Sequence, residues 1–221
     1  MIPSGHGVQW WLHRLDRSPA EAELAGLSRA ETERARRFAF ERDRRRYLAA
    51  HCALRARLAA STGLPARALQ FVEGPHGKPR LQDAPGCAFN LAHSEDLALI
   101  GIGTDGTEIG VDIEVLRTID DAEALAQRLF TPGEYLSWTA LPQPERRDGF
   151  LRLWTRKEAC LKAVGAGLSI APASVAAGLQ PDQTTVDLCW ADGPARIELR
   201  SIDVGPDAVA AVARVVERCR G

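Results

Sequence analysis

The chain of 221 residues has no apolar run near the roughly 20 residues needed to cross a membrane. Its N-terminus also lacks the basic, apolar and small-residue pattern of an export signal. Cysteine is sparse: five scattered residues with no C-x-x-C pair argue against a disulfide framework and a thiolate zinc site. These absences predict a cytoplasmic protein with reduced thiols and no membrane partner.

The composition is otherwise that of a globular protein, and 45% hydrophobic residues are enough to bury a core in one large or two small domains. The net charge of -1 hides an asymmetry, because residues 29–57 hold ten arginines and only four acids. This surplus predicts an anionic partner for that segment. The alternative is a solvated helix with ion pairs such as Glu33 with Arg37 and Glu41 with Arg45, which accounts for only some of the arginines.

The hydrophobic pattern predicts helices and short strands in two successive groups. Ser28 indicates a helix start, followed by one helix or by two with a break near residues 40–43. Residues 97–103 and 108–114 resemble the strands of a hairpin around Thr104-Asp105-Gly106. The other predicted elements are strands at 8–12, 69–72, 88–91, 185–190, 195–201 and 208–216, helices at 120–130 and 145–164, and a short helix that starts at Thr131-Pro132. Their order predicts an α+β fold of two halves.

Two acidic residues, Asp112 and Glu114, stand two apart in the otherwise apolar segment Gly110-Val111-Asp112-Ile113-Glu114. In a strand, side chains at i and i+2 share a face, so the two carboxylates would repel each other. A divalent cation relieves that repulsion, and oxygen ligands suit magnesium, which shares its coordination shell with substrate phosphates. An edge strand with one solvated face is the alternative, and it is the commoner explanation of this spacing alone.

Three further patterns are ambiguous when each is taken alone. Glu158 precedes Lys162 by one helical turn, and such a pair alone is a weak surface interaction of about 0.3–0.5 kcal/mol. His93 ends an apolar strand, where it either presents a donor to an anion or is satisfied by the local backbone. Residues 101–106 match G-x-G-x-x-G, but a strand follows them instead of the helix that a dinucleotide site requires.

Four motifs occur in order along the chain: Gly77-Lys78-Pro79, Phe89-Asn90-Leu91-Ala92-His93-Ser94, Ile109-Gly110-Val111-Asp112-Ile113-Glu114, and Trp154-Thr155-Arg156-Lys157-Glu158-Ala159-Cys160-Leu161-Lys162 with Gly165-Ala166-Gly167-Leu168. Together they resemble the 4'-phosphopantetheinyl transferases of the stand-alone, surfactin-synthetase-activating type, over roughly residues 34–168. The resemblance implies an α+β pseudo-dimer of two similar halves, each a small, mostly antiparallel sheet packed with helices. We place these halves at residues 1–105, with the nucleotide and carrier contacts, and 106–221, with the magnesium and catalytic residues.

The resemblance also implies an activity and its residues. Such enzymes move 4'-phosphopantetheine from coenzyme A to a serine of an apo acyl or peptidyl carrier protein, as in polyketide or nonribosomal peptide synthesis, and release adenosine 3',5'-bisphosphate. Asp112, Glu114 and Glu158 would bind Mg²⁺ together with the pyrophosphate. The catalytic residues would be Glu158, Lys162 and Asp112, with Glu158 as the base for the serine, directly or through water, and Lys162 on the pyrophosphate.

The same resemblance assigns the nucleotide contacts. Arg46 would bind the 3'-phosphate, while Lys78, Arg80 and His93 would complete the anion cradle together with Lys162. The remaining arginines would face the acidic helices of a carrier protein. Two positions depart from the family pattern, because Ala92 stands where a serine is frequent and Glu31 stands where some relatives have lysine.

Two other functions fit parts of the sequence. A nucleic-acid-binding domain would use the arginines of residues 29–57, but it leaves the three acids unexplained. A different magnesium-dependent enzyme acting on nucleotides would use the same acids without a carrier protein. The ordered motifs favour the transferase, acting as a monomer with coenzyme A and a carrier protein as partners and with no nucleic acid.

Overall fold

The structure is a computed structural model that describes residues 7–104, 106–190 and 193–218. Its strands are β1 (Val8–Arg14), β2 (Phe71–Glu73), β3 (Pro79–Leu81), β4 (Phe89–Ser94), β5 (Leu97–Gly103), β6 (Ile109–Val115), β7 (Thr184–Trp190), β8 (Gly193–Ile202) and β9 (Ala208–Arg218). Its helices are α1 (Glu21–Leu24), α2 (Arg29–Ala35), α3 (Glu41–Thr62), α4 (Ala122–Leu129), α5 (Pro132–Thr139) and α6 (Gln143–Val164). No helix in these ranges is long and apolar enough to cross a membrane.

The helix boundaries follow local capping chemistry. Ser28 caps α2 in a reciprocal arrangement with Glu31, as the sequence predicted. Two helices, α2 and α3, form instead of one, because residues 36–40 interrupt the helical segment. The predicted stop of α6 is also observed, since Gly165 takes a left-handed conformation with φ of 71°. Two short elements, α1 and β3, were not predicted, because neither is long enough to show a periodic pattern.

The strands form two larger antiparallel sheets, with orders β1-β5-β4 and β6-β9-β8-β7, and a β2-β3 ribbon. The predicted hairpin between residues 97–103 and 108–114 is therefore wrong. β5 is the central strand of its sheet, and β1 and β4 already use both of its edges. The following strand instead pairs with β9, where Asp112 lies opposite Ala211. Asp105, in the predicted turn, lies outside the described residues.

Each sheet has one long helix packed against it, which confirms the predicted α+β class with two sheet–helix halves. In the first half, Leu54 and Leu58 of α3 pack against Ile100 and Ile102 of β5. In the second half, α6 packs against β8 and β9 through a cluster that includes Ala159, Cys160, Ala163, Ile197, Leu199, Ala211 and Ala213. The boundary at residues 105 and 106 remains our prediction.

The two sheets meet where β4 runs beside β6, and side chains join them at this seam instead of a backbone ladder. The Val111 N–H donates to Asn90 Oδ1 at 2.8 Å, and the Val115 N–H donates to Ser94 Oγ at 3.1 Å. Ser94 Oγ also donates to Glu114 Oε2 at 2.8 Å. The edge of β6 is thus satisfied by two polar side chains of β4, as buried backbone donors require.

Candidate active site between the halves

The second sheet and α6 place the predicted acids on two elements that contact each other. Val111 and Ile113 of β6 face an apolar core, so the alternate residues Asp112 and Glu114 share the other face, as predicted. Asp112 is 5% exposed. Its Oδ1 accepts a hydrogen bond of 2.5 Å from Lys162 Nζ of α6. The structure therefore places the predicted catalytic lysine against one of the predicted metal ligands.

A glycine makes this approach possible. A Cβ on Gly110 would lie 2.1 Å from the Ala159 carbonyl oxygen and 2.3 Å from the Ala163 nitrogen of α6. No side chain fits there, so β6 and α6 are in direct backbone contact. This contact sets the distance from the acids of β6 to Glu158 and Lys162. Sequence reasoning did not single out Gly110, although a glycine inside a strand is a known signal of close backbone approach.

The charges at this contact influence one another. Burial raises the pKa of Asp112 to about 7, against the opposing effect of Lys162, and Glu158 and Glu114 raise it further. Burial likewise raises the pKa of Glu158, with Lys162 opposing and Glu114 adding to the rise. Glu114 thus lies close enough to Asp112 and Glu158 to disfavour their ionised forms.

The donor set fits a magnesium ion in its chemistry. Asp112 Oδ2 is buried and has no hydrogen-bond partner, so an acceptor is left for a further cation. Three carboxylates are hard oxygen ligands of the kind that Mg²⁺ prefers. Across the described ranges, however, no three His, Cys, Asp or Glu side chains are already gathered closely enough to hold a metal. The lysine ammonium of Lys162 is the cation that Asp112 contacts in this structure.

Glu158 and Lys162 also line a cavity of about 520 Å³ between the two halves. One wall comes from the first half, with Asn90 and the segment His76–Pro79. The other wall comes from the end of α4, from α6 and from the segment that follows α6. It is largely apolar, with Leu129, Trp154, Leu161, Ile170, Ala171 and Pro172 among its residues. A ligand with an anionic end and an apolar part suits this lining, because the anion would meet Lys162 and the apolar part would meet the carbon-rich wall.

Two buried cations fix α6 beside the cavity. Arg156 donates to the carbonyl oxygens of Ala177 and Gly178, and burial lowers its pKa to about 10. The ammonium of Lys157 lies 2.6 Å from Glu134 Oε2 and donates to the carbonyl oxygen of Val175 at 2.5 Å. Arg156 and Lys157 directly precede Glu158, so these contacts anchor α6 to the neighbouring segments just before that residue.

The predicted nucleotide contacts are not gathered at one point. Lys78 Nζ donates to Glu108 Oε2 at 2.8 Å and to the carbonyl oxygens of Ile109 and Ala163 at 2.9 Å, so it bridges the halves. Burial lowers the pKa of Lys78, and Glu108 partly opposes this shift. Arg80 lies beside it and donates to Glu108 Oε1 at 3.4 Å. Sequence reasoning missed Glu108, whose partner lies 30 residues earlier in the chain.

The guanidinium of Arg46 forms ion pairs with two acids of the β4–β5 turn. Its guanidinium donates to Glu95 Oε2 at 2.7 Å and to Asp96 Oδ1 at 2.9 Å. Partial desolvation of the ring lowers the pKa of His93, and the charges of Lys162 and nearby basic residues, including Arg46, lower it further, while Glu114 opposes them. His93 thus lies between the acid cluster and the arginine-rich helix α3.

Many of the arginines in residues 29–57 form ion pairs within the protein. Glu33 pairs with Arg29, and Glu41 pairs with Arg44, so neither predicted helical pair is the one formed. Glu31, which departs from the family pattern, is buried and accepts hydrogen bonds from Ser28, His51 and Arg55. Burial alone would raise the pKa of Glu31, but these hydrogen bonds outweigh it and lower the pKa to about 2.

Comparisons with known proteins decide the family. Residues 108–213 match the model of the 4'-phosphopantetheinyl transferase superfamily, and residues 16–103 match that of the N-terminal part of 4'-phosphopantetheinyl transferase. The 4'-phosphopantetheinyl transferase HetI of Nostoc is 39% identical over 167 residues, which cover 73% of this chain and 70% of HetI. The chain belongs to the 4'-phosphopantetheinyl transferase superfamily.

Relatives of the predicted subtype are also present. The 4'-phosphopantetheinyl transferase psf-1 of Bacillus pumilus is 33% identical over 76% of this chain and 71% of its own length. The 4'-phosphopantetheinyl transferase Sfp of Bacillus subtilis is 29% identical over 86% of this chain and 84% of its own length. The identification made from the motifs is thereby confirmed. As a phosphopantetheinyl transferase, the chain is an enzyme that transfers the phosphopantetheine group of coenzyme A to carrier proteins.

Proposed function

We propose that this transferase acts at the contact of β6 with α6, where Asp112, Glu114 and Glu158 would bind Mg²⁺ with the pyrophosphate of coenzyme A. The observation that carries the proposal is the Lys162–Asp112 contact, because it joins a cation on the cavity wall to a buried acid with one unpartnered oxygen. When bound, the metal ion would neutralise negative charge on the transferred phosphoryl group. The acceptor is a serine of an apo acyl or peptidyl carrier protein.

Two side chains of α6, Glu158 and Lys162, would have different roles in the reaction. The serine oxygen forms a bond to the phosphorus that carries pantetheine, while the bond from that phosphorus to the bridging pyrophosphate oxygen breaks. Glu158 takes the serine proton, directly or through one water, and its raised pKa makes it a stronger base than an exposed glutamate. Lys162 stabilises the charge on the departing adenosine 3',5'-bisphosphate.

The nucleotide would lie towards the first half. His93 would meet one of its phosphates. Arg46 would bind the 3'-phosphate in exchange for the carboxylates of Glu95 and Asp96, to which its guanidinium already donates hydrogen bonds. Lys78 and Arg80 would act at the adenosine end. Because the ammonium of Lys78 is engaged with Glu108, its contribution would be to hold the cavity wall in position.

We further propose that the enzyme works as a cytoplasmic monomer, with residues 1–105 and 106–221 as its halves. Its carriers would be those of polyketide or nonribosomal peptide assembly. The exposed arginines of the first half would then face the acidic helices of these carriers, since opposite charges speed association and favour the correct partner.

Carrier loading tests the proposal. Purified enzyme with Mg²⁺ and coenzyme A is incubated with a panel of apo carriers from fatty-acid, polyketide and peptide synthesis, and mass spectrometry detects the gain of one phosphopantetheine group. Glu158→Gln is expected to lose about 100-fold or more in turnover, the usual contribution of a positioned base, while retaining the fold. Glu145→Gln is the matched control, because this exposed acid lies in the same helix away from the site.

Two results would count against the proposal. Absence of a mass gain on every carrier would remove the assigned acceptor. Loading at the wild-type rate by Glu158→Gln would remove Glu158 from the mechanism, while leaving the family assignment intact.

A further inference from the structure

A second cavity, of about 500 Å³, lies against α3 and shares no lining residue with the cavity between the halves. It is bounded by the end of β1, the segment around α1, and the middle of α3. Much of its wall consists of very small residues: Ala22, Gly26, Ala49, Ala53, Ala56 and Ala66. Small side chains leave this space open and give it a carbon-rich surface.

The polar residues at this cavity are mostly basic. Four arginines line it, namely Arg14, Arg17, Arg55 and Arg57, against a single acid, Glu23. Three of these arginines have carboxylate partners. Arg14 pairs with Asp16, Arg17 pairs with Glu23, and Arg55 pairs with Glu31.

Arg57 is the exception, because in the described part of the chain it forms no ion pair with a carboxylate. Its guanidinium lies over the ring of Trp11, 5.0 Å from the centroid, and its Nε donates to His13 Nε2 at 3.3 Å. This leaves the two terminal nitrogens of the fork available. The stacking and the hydrogen bond hold the guanidinium in one orientation before any ligand arrives, so little side-chain entropy remains to be lost on binding.

We propose that this cavity is a second anion-binding site, separate from the coenzyme A cleft, for an oxyanion group carried on a small apolar body. A guanidinium fork matches the oxygen pairs of a phosphate or a carboxylate. The alanine-rich wall would contact the apolar body of the same ligand. Organic phosphates and short-chain carboxylic acids share this chemistry, and both are tested.

The imidazole of His13 provides a local reporter, because it contacts Arg57 directly. Its ring resonances, assigned by comparison with His13→Gln, are followed by NMR while n-butyl phosphate, butyrate or inorganic phosphate is added. His93 reports separately on anions that enter the cleft between the halves. We expect His13 to shift in a saturable manner, with either butyl compound binding more tightly than inorganic phosphate, because burial of each methylene is favourable.

Ala56→Glu is the informative variant, since this exposed position lines the cavity and the new carboxylate would repel an anion bound there. We expect it to weaken binding at His13 by about tenfold or more, the effect of losing one charge-assisted interaction. Arg57→Gln should do the same. Ala124→Glu makes the identical change at an exposed position of α4 and should leave the affinity at His13 unchanged.

The proposal is overturned if His13 does not shift with any of the three anions. It is also overturned if Ala56→Glu and Ala124→Glu bind them equally well. A shift at His93 alone would assign all anion binding to the coenzyme A cleft. A stronger response to butyl phosphate than to butyrate would identify organic phosphates as the ligand class, and the reverse order would identify carboxylic acids.

Discussion

Replacement of Gly110 by alanine tests whether the contact of β6 with α6 sets the spacing of the proposed catalytic groups. The added Cβ would lie 2.1 Å from the carbonyl oxygen of Ala159. Nonbonded atoms settle near 3.5 Å, so the strand and the helix would have to separate by about 1 Å. Asp112 and Glu158 lie on opposite sides of this contact, and the same movement therefore pulls them apart.

The expected losses differ in size. Overpacking of this kind costs about 1–3 kcal/mol, which lowers the melting temperature of a chain of this length by roughly 2–12 °C. The protein then remains folded at the assay temperature. A displacement of about 1 Å at the reacting groups costs about 100-fold in rate. Turnover should consequently fall far more than the folded fraction.

Circular dichroism melting and carrier loading, measured on the same preparation, separate the two effects. Gly133→Ala is the matched control, because a Cβ at this position of α5 meets no atom within 4 Å. It should load carrier at the wild-type rate. Normal loading by Gly110→Ala as well would refute the link between this backbone contact and catalysis.

Three further substitutions test other parts of the structure. Asn90→Ala leaves the buried N–H of Val111 without its acceptor and should cost about 1–3 kcal/mol in urea unfolding; an unchanged midpoint would show that the seam does not need this bond. Because the pKa of Glu31 is lowered from 4.5 to about 2, its charged form contributes stability above pH 4.5 that is lost as the pH falls towards 2. Glu31→Gln should therefore lose about 3 kcal/mol at pH 7, with the gap to wild type narrowing in acid, and a constant gap would contradict this account. Lys157→Met strands the buried carboxylate of Glu134 and should cost about 3–5 kcal/mol, part of which Glu134→Gln recovers in the double variant; no recovery would exclude the pair as the cause.

Local spacing was enough to predict which faces of their elements the acids occupy. Asp112 and Glu114 share a strand face, and Glu158 and Lys162 share a helix face, so their relations depend only on strand and helix geometry. Pairing over long sequence distances was not accessible in the same way. Nothing near β6 indicates that its partner is β9, about 100 residues later, because many apolar strands satisfy the same pattern.

The basic residues illustrate the same limit. The sequence shows where the lysines and arginines are, but the tertiary structure determines which groups they pair with. Lys78 was predicted to face the nucleotide, yet its ammonium bridges to Glu108 in the other half. Arg46 was predicted to bind a phosphate, and its guanidinium holds the acids of a turn. In both cases the side chain has the chemistry expected of it, while the tertiary structure supplies the first partner.

The seam between β4 and β6 has a consequence for how this enzyme can change. A backbone ladder between the sheets would be insensitive to most substitutions, since its bonds belong to the main chain. Here Asn90 and Ser94 make the bonds with side chains, and Lys78 adds a third bridge. Substitution of Asn90 can therefore loosen the seam without removing any hydrogen bond within either sheet. Substitution of Ser94 would loosen it and also release Glu114, so the joint between the sheets and the acid cluster are linked through this one hydroxyl group.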